Sequence, residues 1–338
     1  MLRKSYNLKA GAISNLKIVE SELSDPAADE VTVGVKSIGF NFADLFAIWG
    51  LYGATPKGIF TPGLEYSGDI IKVGSNVTDV KVGDKVMGLT RFGGYTSHIN
   101  IDSRYVTPLP AGWNYQEGAS FLVQVLTAYY GLINLGNIQQ GNTVLIHSAA
   151  GGVGLQANRI AKKFGAYTIG TVGRQEKVDF LNKNEDYDHV IVRGSDFEQQ
   201  LTKALGDRDL HLIMDSIGGK FFQIGFAKLA EMGRVVAFGS GRYASPNNRP
   251  NYLKMAYQFA TRPKVDPQDM VETNRSILGF NLIWLYDRVE MMTEILVDLE
   301  KMQLPKPHVG HEFAFEDLKE GMKLFQSGKT IGKVVINV

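Results

Sequence analysis

Cysteine is absent from this chain of 338 residues. Its absence excludes disulfides, thiolate metal ligands and cysteine nucleophiles together. An excess of charge is also missing, because 36 basic residues face 35 acidic ones and leave a net charge of +1. This balance gives no signature of nucleic-acid binding.

Long apolar runs are scarce as well. The N-terminus, MLRKSYNLKAGAISNL, has no apolar core of signal-peptide length, and no segment is expected to reach the ~18 apolar residues of a membrane span. We therefore expect a cytoplasmic protein without a membrane span. The length exceeds that of a usual single core, so two domains are expected.

Closely spaced glycines stand out in the stretch TVLIHSAAGGVGLQANRIAKKFG, residues 143–165. The pattern predicts a strand, a tight turn at Gly151, Gly152 and Gly154, and an amphipathic helix. Glycines let the backbone approach a ligand, and a helix N-terminus offers free N–H groups to a pyrophosphate. Ala149 stands where the first glycine of G-x-G-x-x-G belongs, so the motif alone is equally compatible with a structural turn.

The context of the turn favours nucleotide binding. Apolar runs begin at Tyr167, His189, Leu210 and Gly233, with helical patterns between them. Strands that alternate with helices predict an α/β, doubly wound parallel sheet of the Rossmann type.

The end of the second strand should decide which nucleotide binds. NAD-selecting folds place an acid there to hold the ribose 2′-hydroxyl. This chain has Gly173 and Arg174 there and Lys177 one helical turn later, which predicts a site for the 2′-phosphate of NADP(H). Alternatively, the two cations are only solvated helix charges.

The first third of the chain has short alternating runs between turn residues, which predicts a partly open antiparallel β-barrel. A long apolar helical pattern from Tyr115 leads to the glycine turn. A Pro- and Asn-rich excursion at 242–269 precedes a predicted strand, SILGFNLIW, a helix from Val289 to Met302, and two final strands.

These segments resemble a known family. SIGFNFADL, TPGLEYSG, VKVGDKVMGL, LTAYYGL, AAGGVG and the terminal GKVVI are similar to the zinc-independent medium-chain dehydrogenase/reductases, in the quinone oxidoreductase (zeta-crystallin-like) branch. NFADLFAIWGLY and NRSILGFNLIWL are most similar to the vesicle amine transport protein-like subgroup. The resemblance implies a GroES-like catalytic domain from 1–122 and 270–338, a Rossmann NADP-binding domain at 123–269, and an active site between them.

The resemblance also bears on metal binding. Asn41 and Leu64 occupy positions where zinc alcohol dehydrogenases carry Cys and His, so no metal site is expected. His308 and His311 lie beside prolines and are not expected to be ligands. Glu65 is expected to serve the buried turn of the barrel.

By the same resemblance, Tyr52, Asn41 and Asp44 are the candidate catalytic residues. Asn41 should lie beside the nicotinamide, Tyr52 should donate to a substrate oxygen, and Asp44 should orient their loop. In the alternative interpretation Asn41 and Asp44 only cap a turn and Tyr52 only lines the pocket. Phe46 replaces a tyrosine of many relatives, so a two-tyrosine site is not available.

The resemblance supplies a set of cofactor contacts along the cleft. The expected contacts are Asn41, Thr127, Ala150, Gly151, Gly152, Val153, Gly173, Arg174, Lys177, Phe238, Gly239, Ser240, Phe280, Leu282 and Lys333. Related reductases often carry a tyrosine at the position of Val192, and Arg193 stands next to Val192 in this chain. Trp49, Phe92, Tyr95 and Trp284 are expected to make the substrate cleft apolar.

Two functions are compatible with these features. The first is NADPH-dependent reduction of a quinone, an enone or a related small apolar carbonyl substrate. The second is a nucleotide-binding homologue with little turnover that interacts with lipid or protein. The predicted strand SILGFNLIW is long and nearly uncharged, and as a bare sheet edge it would invite aggregation. The corresponding strand in the family pairs across a twofold axis, so a homodimer is expected.

Overall fold

The computed structural model describes residues 1–338. The strands are β1 (Leu2–Lys9), β2 (Lys17–Glu22), β3 (Glu30–Gly39), β4 (Ile59–Phe60), β5 (Glu65–Val73), β6 (Lys85–Leu89), β7 (His98–Asp102), β8 (Val106–Pro108), β9 (Thr143–His147), β10 (Tyr167–Val172), β11 (His189–Val192), β12 (Leu210–Asp215), β13 (Leu229–Ala237), β14 (Ser276–Gly279), β15 (Val309–Ala314) and β16 (Lys333–Asn337). The α-helices are α1 (Phe42–Trp49), α2 (Tyr115–Gly118), α3 (Leu122–Tyr129), α4 (Gly152–Lys163), α5 (Gln175–Asn184), α6 (Phe197–Leu205), α7 (Gly219–Ala227), α8 (Tyr252–Ala260), α9 (Pro267–Thr273), α10 (Val289–Met302) and α11 (Leu318–Gln326).

The middle of the chain forms a six-stranded parallel sheet in the order β11-β10-β9-β12-β13-β14. All five residues of the central strand β9 are buried, as expected for a strand covered by helices on both faces. The strand order reverses between β9 and β12, and ligands of such sheets bind at that point, beyond the carboxyl ends of the strands. The predicted doubly wound fold is confirmed.

The N-terminal third and the two last strands form the barrel. Its larger sheet has the order β15-β16-β3-β5-β6-β8, with β7 also paired to β3, and a smaller sheet has the order β2-β1-β4. The pairs are antiparallel except for β15 and β16. An isolated bridge joins Ser5 of β1 to Thr96, two residues before β7. This is the predicted partly open barrel.

The predicted second domain boundary, at residue 270, was wrong. Strand β14 pairs in parallel with β13 and so completes the nucleotide-type sheet. Helix α10 follows it and buries Met292, Ile295 and Leu299 in the same hydrophobic core as β9. The return to the barrel therefore comes after α10, because β14 satisfies its backbone groups in the parallel sheet.

The predicted strand SILGFNLIW is also shorter than expected. It ends at Gly279, and Leu282–Leu285 form a 3-10 turn instead. Phe280 donates its backbone N–H to Ala237, which closes the strand against β13. β14 is the last strand of its sheet, and the homodimer across it stays a prediction.

The long apolar pattern from Tyr115 is helical but broken. It comprises α2, α3 and a π-helical segment at Tyr130–Leu135. The expectation that no segment reaches membrane-spanning length was wrong for Tyr115–Leu135, which has a mean hydropathy of 1.3. Because 67% of that apolar window is buried inside the protein, its side chains serve the core.

Candidate active site

The glycine turn lies between β9 and α4, at the reversal point of the parallel sheet. Gly151 is extended and precedes the helix, so the first N–H groups of α4 have no partner within the helix. A Cβ on Gly154 would come 2.4 Å from the carbonyl oxygen of Ser148, and one on Gly152 would come 2.6 Å from Cγ of Gln124. These two glycines are therefore required by packing, and the free amides remain available to a phosphate.

A group of cations lies next to this turn, at the end of β10. Lys177 lines the cleft wall, and burial together with the charges of Arg193 and Arg174 lowers its pKa to about 8. Neither Lys177 nor Arg193 forms a salt bridge. A bound anion would relieve their mutual repulsion, so this corner of the cleft favours a phosphate.

Arg174 is placed differently from Lys177. Its side chain is exposed at the start of α5 and does not line the cleft. Arg193 lines the cleft instead, and its guanidinium is held by the carbonyl and hydroxyl oxygens of Thr171, at 2.9 Å each. Arg174 contributes at longer range, through its effect on the pKa of Lys177.

Beneath the other end of the cleft lies a buried polar cluster, defined by Asn41, Glu65, Gln124 and Lys333. The Lys333 ammonium donates to Glu65 Oε1 at 2.5 Å and to Asn41 Oδ1 at 2.8 Å. Gln124 donates to the same two oxygens at 3.0 and 2.8 Å, and Asn41 Nδ2 donates to Glu65 at 3.0 Å. Asn41 therefore has both ends of its amide engaged within the protein.

Asp44 supports this cluster from below and does not reach the cleft. It is fully buried, and its Oδ2 accepts the backbone N–H of Asn41 at 2.8 Å, which fixes the start of α1. Burial raises the pKa of Asp44 to about 7 against the opposing effects of the Asn41 N–H and Lys333. Asp44 thus holds the start of α1, the loop that it was expected to orient, and its side chain lies outside the cleft lining.

The residues present do not fit a catalytic zinc. Three protein ligands of N, S or O type are needed, and Asn41, Leu64 and Glu65 offer one carboxylate that is already bound to Lys333. No group of three His, Cys, Asp or Glu side chains in the chain has the geometry of a metal site. His308 packs on Phe180 at 4.7 Å between ring centroids instead.

Tyr52 lies on the opposite wall of the same cleft. Its hydroxyl donates to Asn281 Oδ1 at 2.6 Å, and this hydrogen bond joins the loop after α1 to the segment after β14. The bond therefore spans the two domains. Burial raises the pKa of Tyr52 to about 12, with the Asn281 hydrogen bond opposing the shift.

The cleft between the domains has a volume of about 2000 Å³. It is lined by most of the predicted residues: Asn41, Tyr52, Thr127, Ala150, Gly151, Gly152, Val153, Gly173, Lys177, Phe238, Gly239, Ser240, Phe280, Leu282 and Lys333. An ordinary small-ligand pocket measures about 300–1,000 Å³, so there is room for a dinucleotide and a second molecule.

The prediction that Trp49, Phe92, Tyr95 and Trp284 make the cleft apolar was wrong, because none of them lines it. Trp49 and Tyr95 are buried in the barrel core, Phe92 packs against that core, and Trp284 is 57% exposed beside Arg91. The aromatic side chains in the cleft are instead Phe40, Phe42, Phe46, Tyr52, Phe221, Phe238, Tyr243, Tyr252, Tyr257, Phe259, Phe280, Tyr286 and Phe325.

Sequence reasoning missed Gln124 and Asn281 and gave Arg193 too little weight. Gln124 sits three residues before Thr127 on α3 and so shares its face of the helix. Nothing in the sequence indicated a role for Asn281, because its partner Tyr52 is 229 residues away along the chain.

A parallel sheet of this strand order, joined to a partly open barrel across a deep cleft, defines a two-domain oxidoreductase. An alcohol dehydrogenase GroES-like domain matches residues 27–111, and a zinc-binding dehydrogenase domain matches residues 152–296. The synaptic vesicle membrane protein VAT-1 homolog of Homo sapiens is 31% identical over 314 residues, which cover 92% of this chain and 79% of that protein.

Two solved structures have a similar fold. Escherichia coli quinone oxidoreductase complexed with NADPH has a TM-score of 0.85 at 27% identity and covers 100% of both chains. CurK enoyl reductase has a TM-score of 0.84 at 27% identity and covers 99% of each. The chain belongs to the medium-chain dehydrogenase/reductase family, close to VAT-1 homologues and quinone oxidoreductases.

Proposed function

We propose that this protein is a zinc-independent, NADPH-dependent reductase that transfers a hydride to a quinone, an enone or a related activated carbonyl compound. The observation that carries the proposal is Lys177, a half-buried cation in the cleft wall with no carboxylate partner. The likeness to a quinone oxidoreductase bound to NADPH and to an enoyl reductase supports it.

The chain would hold the cofactor along the carboxyl ends of the strands. The free amides of Gly152 and Val153 at the start of α4 would face the pyrophosphate, and Lys177 would face the 2′-phosphate. Phe238, Phe280 and Leu282 line the cleft and would cover the nicotinamide end. NADPH, when bound, supplies the hydride, and the protein supplies orientation and shielding from water.

Tyr52 is the group best placed to assist a substrate carbonyl. A phenol with a pKa of about 12 keeps its proton across the working pH range, so it can donate to a substrate oxygen that displaces Asn281. The polar cluster keeps Asn41 fixed and gives the floor of the cleft a single arrangement.

The alternative function, a nucleotide-binding protein with little turnover, is tested in the same experiment. NADPH binding is titrated by fluorescence while NADPH oxidation is screened against quinones, enones and aldehydes. Turnover of at least one class supports the reductase. Tight binding without any turnover favours the alternative, and no NADPH binding refutes both.

Replacing Lys177 by Ala should weaken NADPH binding by about 10- to 100-fold, since a charge-assisted hydrogen bond is worth about 1.5–3 kcal/mol. The affinity for NADH should stay within about twofold, because NADH lacks the 2′-phosphate. Arg174→Ala is the matched control and should cost less than about threefold. Equal losses for both nucleotides would show that the phosphate lies elsewhere.

The affinity for NADPH should also fall as the pH rises. Lys177 carries its charge below its pKa of about 8, so the Kd should be flat near pH 7 and rise through about pH 9. The Kd for NADH should not follow, and Lys177→Arg should remove the dependence because arginine stays charged. Parallel pH profiles for the two nucleotides would contradict the assignment.

A further inference from the structure

The charge on the wall of the cleft has one sign. Six basic side chains line the cleft and no acidic one does, although the chain as a whole is nearly neutral. The six are Lys177, Arg193, Lys220, Arg242, Arg262 and Lys333. A cleft lined by charge of one sign concentrates ligands of the opposite sign.

Three of these cations already have a partner or an assigned ligand. Lys333 is paired with Glu65 in the buried polar cluster, and Lys177 and Arg193 form the corner of the cleft that favours a phosphate. The other three, Lys220, Arg242 and Arg262, form no salt bridge. They have no assigned anion either, since the pyrophosphate is assigned to the free amides of α4.

Arg242 is the most enclosed of the three. It is half-buried, whereas Lys220 and Arg262 are exposed. Its Nη2 donates to the hydroxyl of Tyr243 at 2.7 Å, and its Nη1 would lie 3.5 Å from a Cβ placed on Gly219. The other N–H groups of the guanidinium have no hydrogen-bond partner in the protein. A partly buried guanidinium with unused donors is suited to bind a carboxylate.

No carboxylate of the protein neutralises Arg242. Residues 232–265 contain neither Asp nor Glu. Asp215, at the end of β12, is buried and accepts the backbone N–H groups of Ile217 and Gly218 at 2.9 and 3.0 Å, but it forms no salt bridge with Arg242. The charge of Arg242 is therefore available to a bound anion.

The barrel side of the same cleft is apolar. Phe42, Phe46, Leu51 and Phe325 line it, and Phe42 packs on Phe325 with 4.8 Å between the ring centroids. Such a surface favours the apolar part of a ligand. A ligand that fits both sides of the cleft has an apolar body and an anionic group.

We propose that the substrate is an enone or quinone that carries a carboxylate, and that Arg242 binds this carboxylate while Lys220 and Arg262 add positive charge to the cleft. This inference rests on the proposed reductase function and specifies its substrate class. A planar guanidinium binds a carboxylate through two parallel hydrogen bonds, so Arg242 would also orient the reducible bond against the nicotinamide.

A matched pair of substrates tests the proposal. One is a phenyl-substituted enone with a para carboxylate, and the other is the methyl ester of the same acid. The ester group withdraws electrons more strongly than the carboxylate, so without a site for the anion the ester is the more reactive acceptor. We expect kcat/KM to be about tenfold higher for the carboxylate at low salt, and we expect the difference to shrink as salt is added.

Arg242→Ala should lower kcat/KM for the carboxylate about tenfold and remove the preference, whereas Arg242→Lys should retain part of it because the charge remains. The Kd for NADPH should stay within about twofold in both variants. Arg249→Ala is the matched control, because it removes the same charge from an exposed residue of the same acid-free segment, outside the cleft lining. Circular dichroism confirms that each variant is folded.

Calorimetry separates this inference from the reductase activity. The saturated forms of both compounds, titrated into the protein with NADP+, measure binding without turnover, and the carboxylate should bind about tenfold more tightly. Charge-selective binding without turnover of either enone would count against the reductase alone. Turnover or binding without a preference for the carboxylate, or a preference that Arg242→Ala keeps, would overturn the inference alone. So would an Arg242→Ala variant that loses affinity for NADPH and keeps the preference, since Arg242 would then belong to the cofactor site.

Discussion

Replacing Tyr52 by Phe is expected to lower kcat for carbonyl or enone reduction by about 100-fold, the lower end of the effect of a positioned proton donor. The Kd for NADPH should not change, because Tyr52 lies on the substrate wall and not at the phosphate sites. The variant keeps the ring and its packing and removes only the hydroxyl that donates to Asn281. Steady-state kinetics beside a binding titration measure both quantities.

Asn281→Ala separates positioning from proton donation. It leaves the Tyr52 hydroxyl in place but removes its acceptor across the cleft, so we expect a smaller loss in kcat, about tenfold. Tyr129→Phe is the control, because it removes a phenol hydrogen bond of 2.9 Å to Asp298 outside the cleft. If Tyr52→Phe retains full activity, Tyr52 only lines the pocket and a different donor must be sought.

Replacing Lys333 by Ala is expected to lower the free energy of unfolding by about 3–5 kcal/mol. Lys333 and Glu65 have 4% and 1% of their side chains exposed, so the substitution leaves a carboxylate buried without its cation. The measurement is the denaturant midpoint of the transition that the barrel domain controls, since a two-domain protein need not unfold in one step.

The double variant Lys333→Met, Glu65→Gln should recover much of this loss, because it removes both charges and keeps the hydrogen bonds from Asn41 and Gln124. Lys323→Ala is the surface control. Its partner Glu320 lies at 2.6 Å, but both side chains are more than 60% exposed, so solvent screening should leave no measurable change. A Lys333→Ala protein as stable as the parent would contradict the role assigned to the Lys333–Glu65 ion pair.

The order of strands and helices in the nucleotide-binding domain could be predicted because the sequence signals for it are local. The apolar run before the glycine turn, the amphipathic spacing of α4 and the alternation of strands with helices each depend on neighbours along the chain. The signal at the end of β10 is also local. The sequence has no acid there, and Lys177 follows within one helical turn, so its position alone made it a candidate. Arg174 is exposed and lies outside the cleft lining, and adjacency in sequence does not indicate which of two cations turns inward.

Pairings between distant segments could not be predicted. Whether SILG would join the parallel sheet or the barrel depended on which strand edge was free, and the edge of β13 is assembled only in the fold. Whether Trp49 and Tyr95 would line the cleft or fill the barrel depended on the volume left between sheets. The periodicity of a sequence indicates that a side chain is buried, but it does not indicate which residues that side chain packs against.

The sequence by itself determined the family, the two kinds of domain and the residue types at the glycine turn, because each is encoded within a few consecutive residues. Only the tertiary structure decided that Lys333 neutralises Glu65 from 268 residues away and that Tyr52 meets Asn281 across the cleft. The physical reason is that burial, desolvation and hydrogen-bond partnership are properties of packed space, and they arise only when distant segments of the chain come together.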